Sequence, residues 1–263
     1  MNAPNAGNSG DHTQQQPLLD KITLITGAGS GFGRGIAVAF AQAGAYVGVL
    51  DINLSAAQET QALIGERALA IEADITDLDA FENAVNQLER WAGPLQILVN
   101  NAGIGLTPTP LEEVSDDDFE RVYSINMRAI YLASRIVVPA MKQRQAGCIL
   151  NIASTAGVSP RPGLTWYNAS KGWVITATRS MAVELAADNI RVNAINPVAG
   201  ETPLLSTFMG QDTPEIRDKF LSTIPLGRFS TPQDLGHAAV FLCCDAASMI
   251  TGVALEVDGG RCV

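Results

Sequence analysis

Short apolar segments rich in β-branched residues alternate with longer helical patterns from Lys21 to the end of the chain. Most of these segments are apolar throughout, which is typical of strands that are covered on both faces. The predicted strands are Ile22–Thr26, Ala45–Asp51, Ala68–Asp74, Leu95–Asn100, Cys148–Ser154, Arg191–Asn196 and Ala254–Val257. This alternation predicts an α/β fold with right-handed crossovers, in which a doubly wound, seven-stranded parallel sheet carries helices on both faces.

The intervening segments carry helical signals. Apolar residues recur at helical spacing over Arg34–Ala43 and Leu78–Trp91, and Ser115 precedes three aspartates that suit a helix N-terminus. The least regular region is Pro197–Arg228, which is rich in proline. A long irregular segment near a strand end predicts a binding loop or a lid.

Composition limits the organisation of the chain and its partners. The 263 residues show no linker after residue 20, so we expect one domain over 20–263 and a disordered polar tail over 1–19. The net charge of −10, without basic clusters, disfavours nucleic acid as a partner. No apolar run approaches the ~18 residues of a membrane span, so no membrane partner is expected.

Four cysteines, Cys148, Cys243, Cys244 and Cys262, match the spacing of no zinc or redox motif. We interpret them as small buried side chains of a protein in the reducing cytoplasm. His12 and His237 fall outside every motif, so no metal site is expected.

A glycine-rich turn follows the first predicted strand. The strict G-x-G-x-x-G spacing is absent, and the turn reads TGxxxGxG with Gly27, Gly31 and Gly33. Glycines let a backbone approach a pyrophosphate closely, and the helix that follows offers free N–H groups and the positive end of its dipole. The turn therefore predicts a dinucleotide site.

The second predicted strand ends at Asp51, about 20 residues beyond the turn, where a carboxylate accepts a ribose 2′-hydroxyl and repels a 2′-phosphate. Ser30, Ile52 and Asn53 offer no compensating positive charge, so NAD(H) is preferred over NADP(H). An alternative is that Asp51 caps the next helix. Asp74, followed by Ile75, either bonds an adenine amino group or forms a local turn.

Tyr167 and Lys171 lie one helical turn apart, and Ser154 ends the preceding strand. An ammonium ~4 Å from the phenol favours tyrosinate by as much as ~4 kcal/mol at an effective dielectric of about 20. That corresponds to about three pKa units, which places the Tyr167 pKa near 7. Such a tyrosine exchanges a proton with an alcohol or a carbonyl oxygen.

Together these motifs closely resemble the compact branch of the short-chain dehydrogenase/reductase superfamily. The resemblance covers Lys21 to Val263 and rests on TGAGSGFG at 26–33, NNAG at 100–103, Asn126, Ser154, YNASK at 167–171 and NP at 196–197. The segments GLTWY at 163–167, GETPLL at 200–205 and IPLGRF at 224–229 also look similar to an aromatic aldehyde/alcohol dehydrogenase subgroup that includes formylbenzenesulfonate dehydrogenase.

The resemblance implies a Rossmann-type fold, an NAD(H) or NADP(H) cofactor, a homotetramer and a catalytic tetrad. Tyr167 is the acid/base, Ser154 holds the substrate oxygen, Lys171 lowers the tyrosine pKa and bonds the nicotinamide ribose, and Asn126 holds a relay water. The residues expected to contact the cofactor are Gly27, Ser30, Gly31, Phe32, Gly33, Asp51, Asp74, Ile75, Asn101, Gly103, Tyr167, Lys171, Pro197, Gly200 and Thr202. One departure is that the glycine of the family pattern NPGxVxT has moved two places, to Gly200, while Thr202 still aligns.

Three segments beyond strand ends are expected to wall the substrate pocket. Their apolar residues are Ile104, Leu106, Val158, Leu164, Trp166, Leu204, Phe208 and Met209, which predicts a hydrophobic or aromatic alcohol, ketone or aldehyde as substrate. Arg161 is the one cationic residue of these segments. It could pair with an anionic group of the substrate, but we prefer the interpretation that it is a solvent-exposed loop residue. The three function hypotheses are an NAD-dependent alcohol dehydrogenase or carbonyl reductase, an NAD-binding scaffold without turnover, and an epimerase or lyase.

Overall fold

The computed structural model describes residues 16–211 and 213–263, and its seven strands form one parallel sheet in the order β3-β2-β1-β4-β5-β6-β7. The strands are β1 Ile22–Thr26, β2 Tyr46–Asp51, β3 Ala68–Glu72, β4 Ile97–Asn100, β5 Gly147–Ile152, β6 Ile190–Pro197 and β7 Ala254–Val257. The predicted doubly wound, seven-stranded sheet is therefore confirmed.

The strand order reverses beside β1, which pairs with β2 on one side and with β4 on the other. The registers place Thr26 opposite Leu50 and Ile25 opposite Val99. Open α/β sheets bind ligands outside the carboxyl ends of their strands at such a switch point. The glycine-rich turn begins there, directly after Thr26.

Nine α-helices connect the strands within the described residues. They are α1 Gly31–Gln42, α2 Leu54–Ile64, α3 Leu78–Ala92, α4 Asp116–Val122, α5 Ala129–Arg144, α6 Thr165–Leu185, α7 Leu204–Met209, α8 Pro214–Leu221 and α9 Pro232–Cys243. A π-helical turn, Tyr123–Arg128, joins α4 to α5. No helix in the described ranges is long and apolar enough to cross a membrane.

Neighbouring residues of one strand are buried on opposite sides of the sheet. Ile25 packs in a core cluster with Phe40 of α1, whereas Leu24 packs in a second cluster with Phe81 of α3. Both strand residues are fully buried. Burial on both faces explains why the strand segments are apolar throughout.

Strands β2 to β6 differ from their predicted bounds by one or two residues at an end, and three further differences are larger. Helix α1 begins at Gly31 rather than Arg34, because Gly31, Phe32 and Gly33 form its first turn. The irregular region Pro197–Arg228 contains helices α7 and α8. The predicted tail ends too late, because Leu18 is fully buried in the core cluster of α1 and donates its backbone N–H to the oxygen of Ala43 at 2.9 Å. The first 15 residues of that predicted tail lie outside the described residues.

Candidate active site

A cavity of ≈ 360 Å³ lies at the carboxyl ends of the strands. One end is formed by the glycine-rich turn and the end of β2, and the other by α6, α7 and α8. The sequence-predicted site residues that line it are Gly27, Ser30, Gly31, Phe32, Gly33, Asp51, Asp74, Ile75, Asn101, Gly103, Ser154, Tyr167, Lys171, Pro197, Gly200 and Thr202. The volume falls within the range of about 300–1,000 Å³ that is usual for ligand pockets.

The glycine-rich turn is built so tightly that Gly27, Gly31 and Gly33 leave no place for a side chain or have a backbone conformation that disfavours one. Gly27 and Gly31 have φ values of 63° and 53°, in the left-handed region that favours glycine. A Cβ on Gly27 would lie 2.8 Å from the Cα of Ala102, and one on Gly33 would collide with the carbonyl of Gly27. Ser30 makes no side-chain cap bond to α1 within the described chain. The N–H groups of the first turn of α1 are thus available to an anionic ligand.

Asp51 joins the end of β2 to the glycine-rich turn. Its Oδ2 accepts the backbone N–H of Gly29 at 2.9 Å, and its Oδ1 accepts that of Asn53 at 3.0 Å. Helix α2 is capped by Asn53, whose side chain accepts the N–H of Ala56. The alternative role of Asp51 as the cap of this helix is therefore wrong, and the carboxylate lies at the rim of the cavity.

Asp74 and Asn101 are held by local hydrogen bonds beside the cavity. Asp74 Oδ1 accepts the backbone N–H and the hydroxyl of Thr76 at 2.8 and 2.7 Å, so the local turn is formed. Asn101 Nδ2 donates to the carbonyl oxygens of Thr26 at 2.8 Å and Gly27 at 3.1 Å. Asn101 thus positions the start of the glycine-rich turn, a role that its spacing alone did not indicate.

Ser154, Tyr167 and Lys171 meet on one wall of the cavity. Tyr167 and Lys171 lie on the buried face of α6, where they are 7% and 6% exposed. Lys171 Nζ donates to the oxygen of Ile152 at 3.0 Å and lies 6.0 Å from the centre of the Tyr167 ring. Ser154 caps a short 3₁₀ turn by accepting the N–H of Ala156 at 3.1 Å. The ends of β5 and α6 therefore bring a hydroxyl, a phenol and an amine together.

Burial dominates the titration of the phenol and the amine. It raises the pKa of Tyr167 to about 12, while Ser154 by hydrogen bonding and Arg161 by its charge lower that pKa. Burial also lowers the pKa of Lys171 to about 8. The expectation that Lys171 brings the Tyr167 pKa near 7 is therefore wrong for the protein without its cofactor. The loss of solvent around the phenol raises its pKa more than the neighbouring charges lower it.

Asn126 lies within the π-helical turn and is 1% exposed. Its Oδ1 accepts the N–H of Ile104 at 2.9 Å, and its Nδ2 donates to the oxygen of Ile104 at 3.0 Å and to Ser170 Oγ at 3.2 Å. π-Helical turns inside α-helices are frequent at functional sites. Asn126 does not line the cavity itself but supports the loop after β4 that does.

The displaced glycine of the loop after β6 has a packing reason. A Cβ on Gly200 would collide with the ring of Phe32 at the start of α1. Gly200 also forms an isolated bridge with Ser230, and its carbonyl accepts the N–H of Thr202 at 2.8 Å. The loop therefore stays in contact with the cavity, and Thr202 lies beside Gly31.

The substrate end of the cavity matches part of the predicted wall. Ile104, Leu164, Leu204 and Phe208 line it, whereas Leu106 and Met209 are buried behind it, Trp166 packs on Phe119, and Val158 is exposed. Phe220 of α8 and Leu205 of α7 also line the cavity and were not predicted, since the region was interpreted as irregular. The Tyr167 and Phe208 ring centres are 5.0 Å apart. The lining at this end is predominantly apolar.

The preferred interpretation of Arg161 as an exposed loop residue is wrong. The side chain is only partly exposed, lines the cavity and lies with its Cζ 4.3 Å from the centre of the Phe220 ring. Phe220 is distant in the sequence, so this contact depends on where α8 packs.

The chain is similar to several known oxidoreductases over almost its whole length. The family described as "Enoyl-(Acyl carrier protein) reductase" matches residues 27–261. The 4-formylbenzenesulfonate dehydrogenase of Comamonas testosteroni is 43% identical over 93% of this chain and 98% of its own length. The 7α-hydroxysteroid dehydrogenase of Escherichia coli (strain K12) is 42% identical over 92% of this chain and 94% of its own.

Solved structures are similar to this chain in both sequence and fold. One of them is a 3-ketoacyl-(acyl-carrier-protein) reductase from Brucella melitensis, complexed with NADH. The two chains share 48% identity with a TM-score of 0.89, over 94% of this chain and 100% of the other.

Proposed function

The chain belongs to the short-chain dehydrogenase/reductase superfamily, and on that premise we propose that it interconverts a secondary or aromatic alcohol and its ketone or aldehyde, with NAD(H) as cofactor. The observation that carries the proposal is that Ser154, Tyr167 and Lys171 meet in the same cavity as the glycine-rich turn. A proton-exchanging group and a dinucleotide cradle in one cavity are what hydride transfer to or from a carbonyl requires.

The residues of the cavity fit a dinucleotide. The side-chain-free surface of Gly27, Gly31 and Gly33 and the N-terminus of α1 suit a pyrophosphate. Lys171, on α6, would hold the nicotinamide ribose, and Thr202, in the loop after β6, would hold the carboxamide; both line the same cavity. When bound, the nicotinamide supplies or accepts the hydride and, in its oxidised form, adds a positive charge to the site.

The preference for NAD(H) over NADP(H) is part of the proposal and rests on Asp51. Its carboxylate lies at the cavity rim and is held by two backbone N–H groups. A negative charge fixed there would repel a 2′-phosphate. Asp74 and Ile75, at the end of β3, would contact the adenine.

In the proposed reaction Tyr167 donates its phenolic proton to the carbonyl oxygen during reduction and takes it back during oxidation. Ser154 donates a hydrogen bond to the same oxygen and thereby fixes the carbonyl beside the phenol. Lys171, anchored to Ile152, adds a positive charge at the base of the site. Asn126 holds the loop around Ile104, and the proposal also gives it the water that would relay protons.

The proposed substrate is small and hydrophobic or aromatic. Leu164, Leu204, Phe208 and Phe220 at this end of the cavity support it. So does the similarity to an enzyme whose name gives 4-formylbenzenesulfonate as its substrate. The relative named 7α-hydroxysteroid dehydrogenase supports a secondary alcohol as the second possibility.

We also propose a cytoplasmic homotetramer. Several apolar side chains in the segment from α4 to α6 are exposed in the single chain, including Tyr123, Tyr131 and Trp173 at 41%, 54% and 36%. Association of subunits would cover such side chains. Light scattering on the purified protein gives the mass of the assembly directly.

The experiment that tests the reaction is a screen of aryl and alkyl alcohols and carbonyl compounds, followed by NADH absorbance. We expect stoichiometric conversion of NADH to NAD⁺ with a ketone or an aldehyde, and the reverse with the alcohol. A scaffold would bind NADH without turnover, and an epimerase or lyase would convert its substrate with no net change in NADH. Either of these results would refute the proposed reaction.

A further inference from the structure

Two cationic side chains line the cavity, and the proposed reaction uses only one of them. Lys171 lies beside Tyr167, whereas Arg161 lies on the loop between β5 and α6. A cation that lines an otherwise apolar substrate pocket is unusual in a chain with a net charge of −10. Arg161 therefore needs an explanation of its own.

The position of Arg161 is fixed by its neighbours. Its guanidinium lies 4.3 Å from the centre of the Phe220 ring, and its backbone oxygen accepts Nδ2 of Asn168 at 2.7 Å. Stacking on a ring face uses the plane of a guanidinium and leaves the N–H groups around its edge available. Arg161 and Tyr167 line the same cavity, and the charge of Arg161 lowers the pKa of the phenol.

No carboxylate neutralises this charge within residues 16–211 and 213–263. Arg34, Arg67, Arg121 and Arg228, by contrast, each lie within 4 Å of a carboxylate oxygen. A second cation, Arg261, acts on Arg161 with the same sign; it donates to Ser159 Oγ at 3.2 Å, and its buried Nε has no partner in the described residues. Two like charges that act on each other, neither with a salt-bridge partner among the described residues, favour the binding of an anion.

We propose that Arg161 binds an anionic oxygen group on the substrate, so that the preferred substrate is an aromatic aldehyde or benzylic alcohol with a carboxylate or a similar anion on its ring. The carbonyl lies at Ser154 and Tyr167, the ring lies against Phe208, and the anion accepts hydrogen bonds from the guanidinium. Planar guanidinium groups bind carboxylates through two parallel hydrogen bonds. This inference rests on the proposed function, because it assigns the far end of the same substrate.

A purely structural role is the competing explanation. Arg161 would then serve only to hold α8 over the cavity through Phe220, and its loss would affect neutral and anionic substrates alike. The two explanations are separated by a matched pair of substrates that differ only in charge. The pair is 4-formylbenzoate and methyl 4-formylbenzoate, each reduced by NADH to its benzylic alcohol with one hydride and one proton.

The experiment compares wild type, Arg161→Ala, Arg161→Lys and Arg90→Ala at pH 7. Arg90 is an exposed arginine of α3 outside the cavity, so its variant controls for the loss of one positive charge. We expect Arg161→Ala to raise KM roughly 10- to 100-fold for the carboxylate-bearing aldehyde, as for a charge-assisted hydrogen bond, and to change KM less than about threefold for the methyl ester. Arg161→Lys should retain part of the preference for the carboxylate-bearing aldehyde over its methyl ester, and Arg90→Ala should retain all of it.

Equal changes for both aldehydes, or no change for the anionic one, would overturn the inference. If wild type reduces neither aldehyde, the proposed reaction is refuted for these substrates, but the anion site is still open to test. Calorimetric titration of the NADH complex with benzoate and with benzamide provides that test. We expect benzoate to bind more tightly than benzamide in wild type, and the difference to disappear in Arg161→Ala. Equal binding of benzoate by both proteins would contradict the assignment.

Discussion

The amine of Lys171 lies 6.0 Å from the centre of the Tyr167 ring and donates its hydrogen bond to the carbonyl of Ile152 at 3.0 Å. Both side chains are buried, so each resists becoming charged. The pKa of Tyr167 is raised to about 12 and that of Lys171 is lowered to about 8. Burial of the Lys171 amine beside the reacting phenol therefore lowers the free energy of unfolding of the protein.

Lys171→Met is expected to stabilise the protein at neutral pH while impairing turnover. Below pH 8 the buried amine carries its charge in the folded protein, which the unfolded chain accommodates at no cost because its pKa is about 10.5 there. The gain in free energy of unfolding is ~1–3 kcal/mol, after allowance for the lost bond to Ile152. Because the folded-state pKa is the lower one, the advantage of the variant shrinks as the pH rises from about 8 to about 10.5. Urea denaturation of both proteins at several pH values measures it, and a constant difference across this range would contradict the assignment.

Substitution of Asp51 is expected to relax the preference for NAD(H). Asp51→Ser removes both the negative charge and the bond to Gly29, whereas Asp51→Asn keeps an oxygen acceptor and removes only the charge. We expect the ratio of kcat/KM for NADH and NADPH to fall roughly 10- to 100-fold in both variants, since like-charge repulsion of a 2′-phosphate is lost. A fall in Asp51→Ser alone would show that anchoring of the turn matters instead of the charge. An unchanged ratio in both would place the discrimination elsewhere.

Gly200→Ala is expected to disturb the cavity through Phe32. The added methyl group overlaps the ring of Phe32, and overpacking of this kind costs about 1–3 kcal/mol of stability. Phe32→Leu removes the ring atoms that would collide, so the double variant should behave like Phe32→Leu alone. Thermal unfolding and NADH fluorescence titration of the four proteins test this coupling. Additive effects of the two substitutions would mean that Gly200 is needed for another reason.

Asn126→Ala should destabilise the loop that follows β4. The substitution leaves the partly buried N–H and carbonyl of Ile104 without their side-chain partner, at a cost of about 1–3 kcal/mol. Ser170→Ala is the comparison variant: it removes the third bond of Asn126 and also the bond from Ser170 Oγ to the carbonyl of Tyr167, so its cost is an upper limit for that third bond. Denaturant unfolding provides both values, and equal losses would argue against the Ile104 contact as the important one.

The strands and the glycine-rich turn could be predicted because their causes are local. A strand that is buried on both faces must be apolar at successive positions, as Leu24 and Ile25 are, and β1 has the predicted bounds. The turn needs glycine wherever φ is positive or another backbone lies close, as at Gly27. Physical requirements of this kind leave a direct trace in the sequence.

The environment of Arg161 and the pKa of Tyr167 could not be predicted, because both depend on distant packing. Arg161 is partly buried where α8 brings Phe220 against it. The Tyr167 pKa follows from how completely α6, α7 and the end of β5 exclude water, which residue spacing does not reveal. The π-helical turn around Asn126 could not be predicted either. It changes the backbone hydrogen-bond register of the helix, and no characteristic residue pattern marks such a change.

Tyr167→Phe tests the central claim, that the Tyr167 phenol exchanges a proton with the substrate oxygen. The variant loses only the hydroxyl, so the NADH dissociation constant should stay within about threefold of wild type. Turnover of an aldehyde that wild type reduces should fall by at least ~100-fold, the usual contribution of a general acid. The measurement is single-turnover NADH oxidation, with NADH binding followed by fluorescence in the same sample. Near-full turnover by a variant that still binds NADH would contradict the claim.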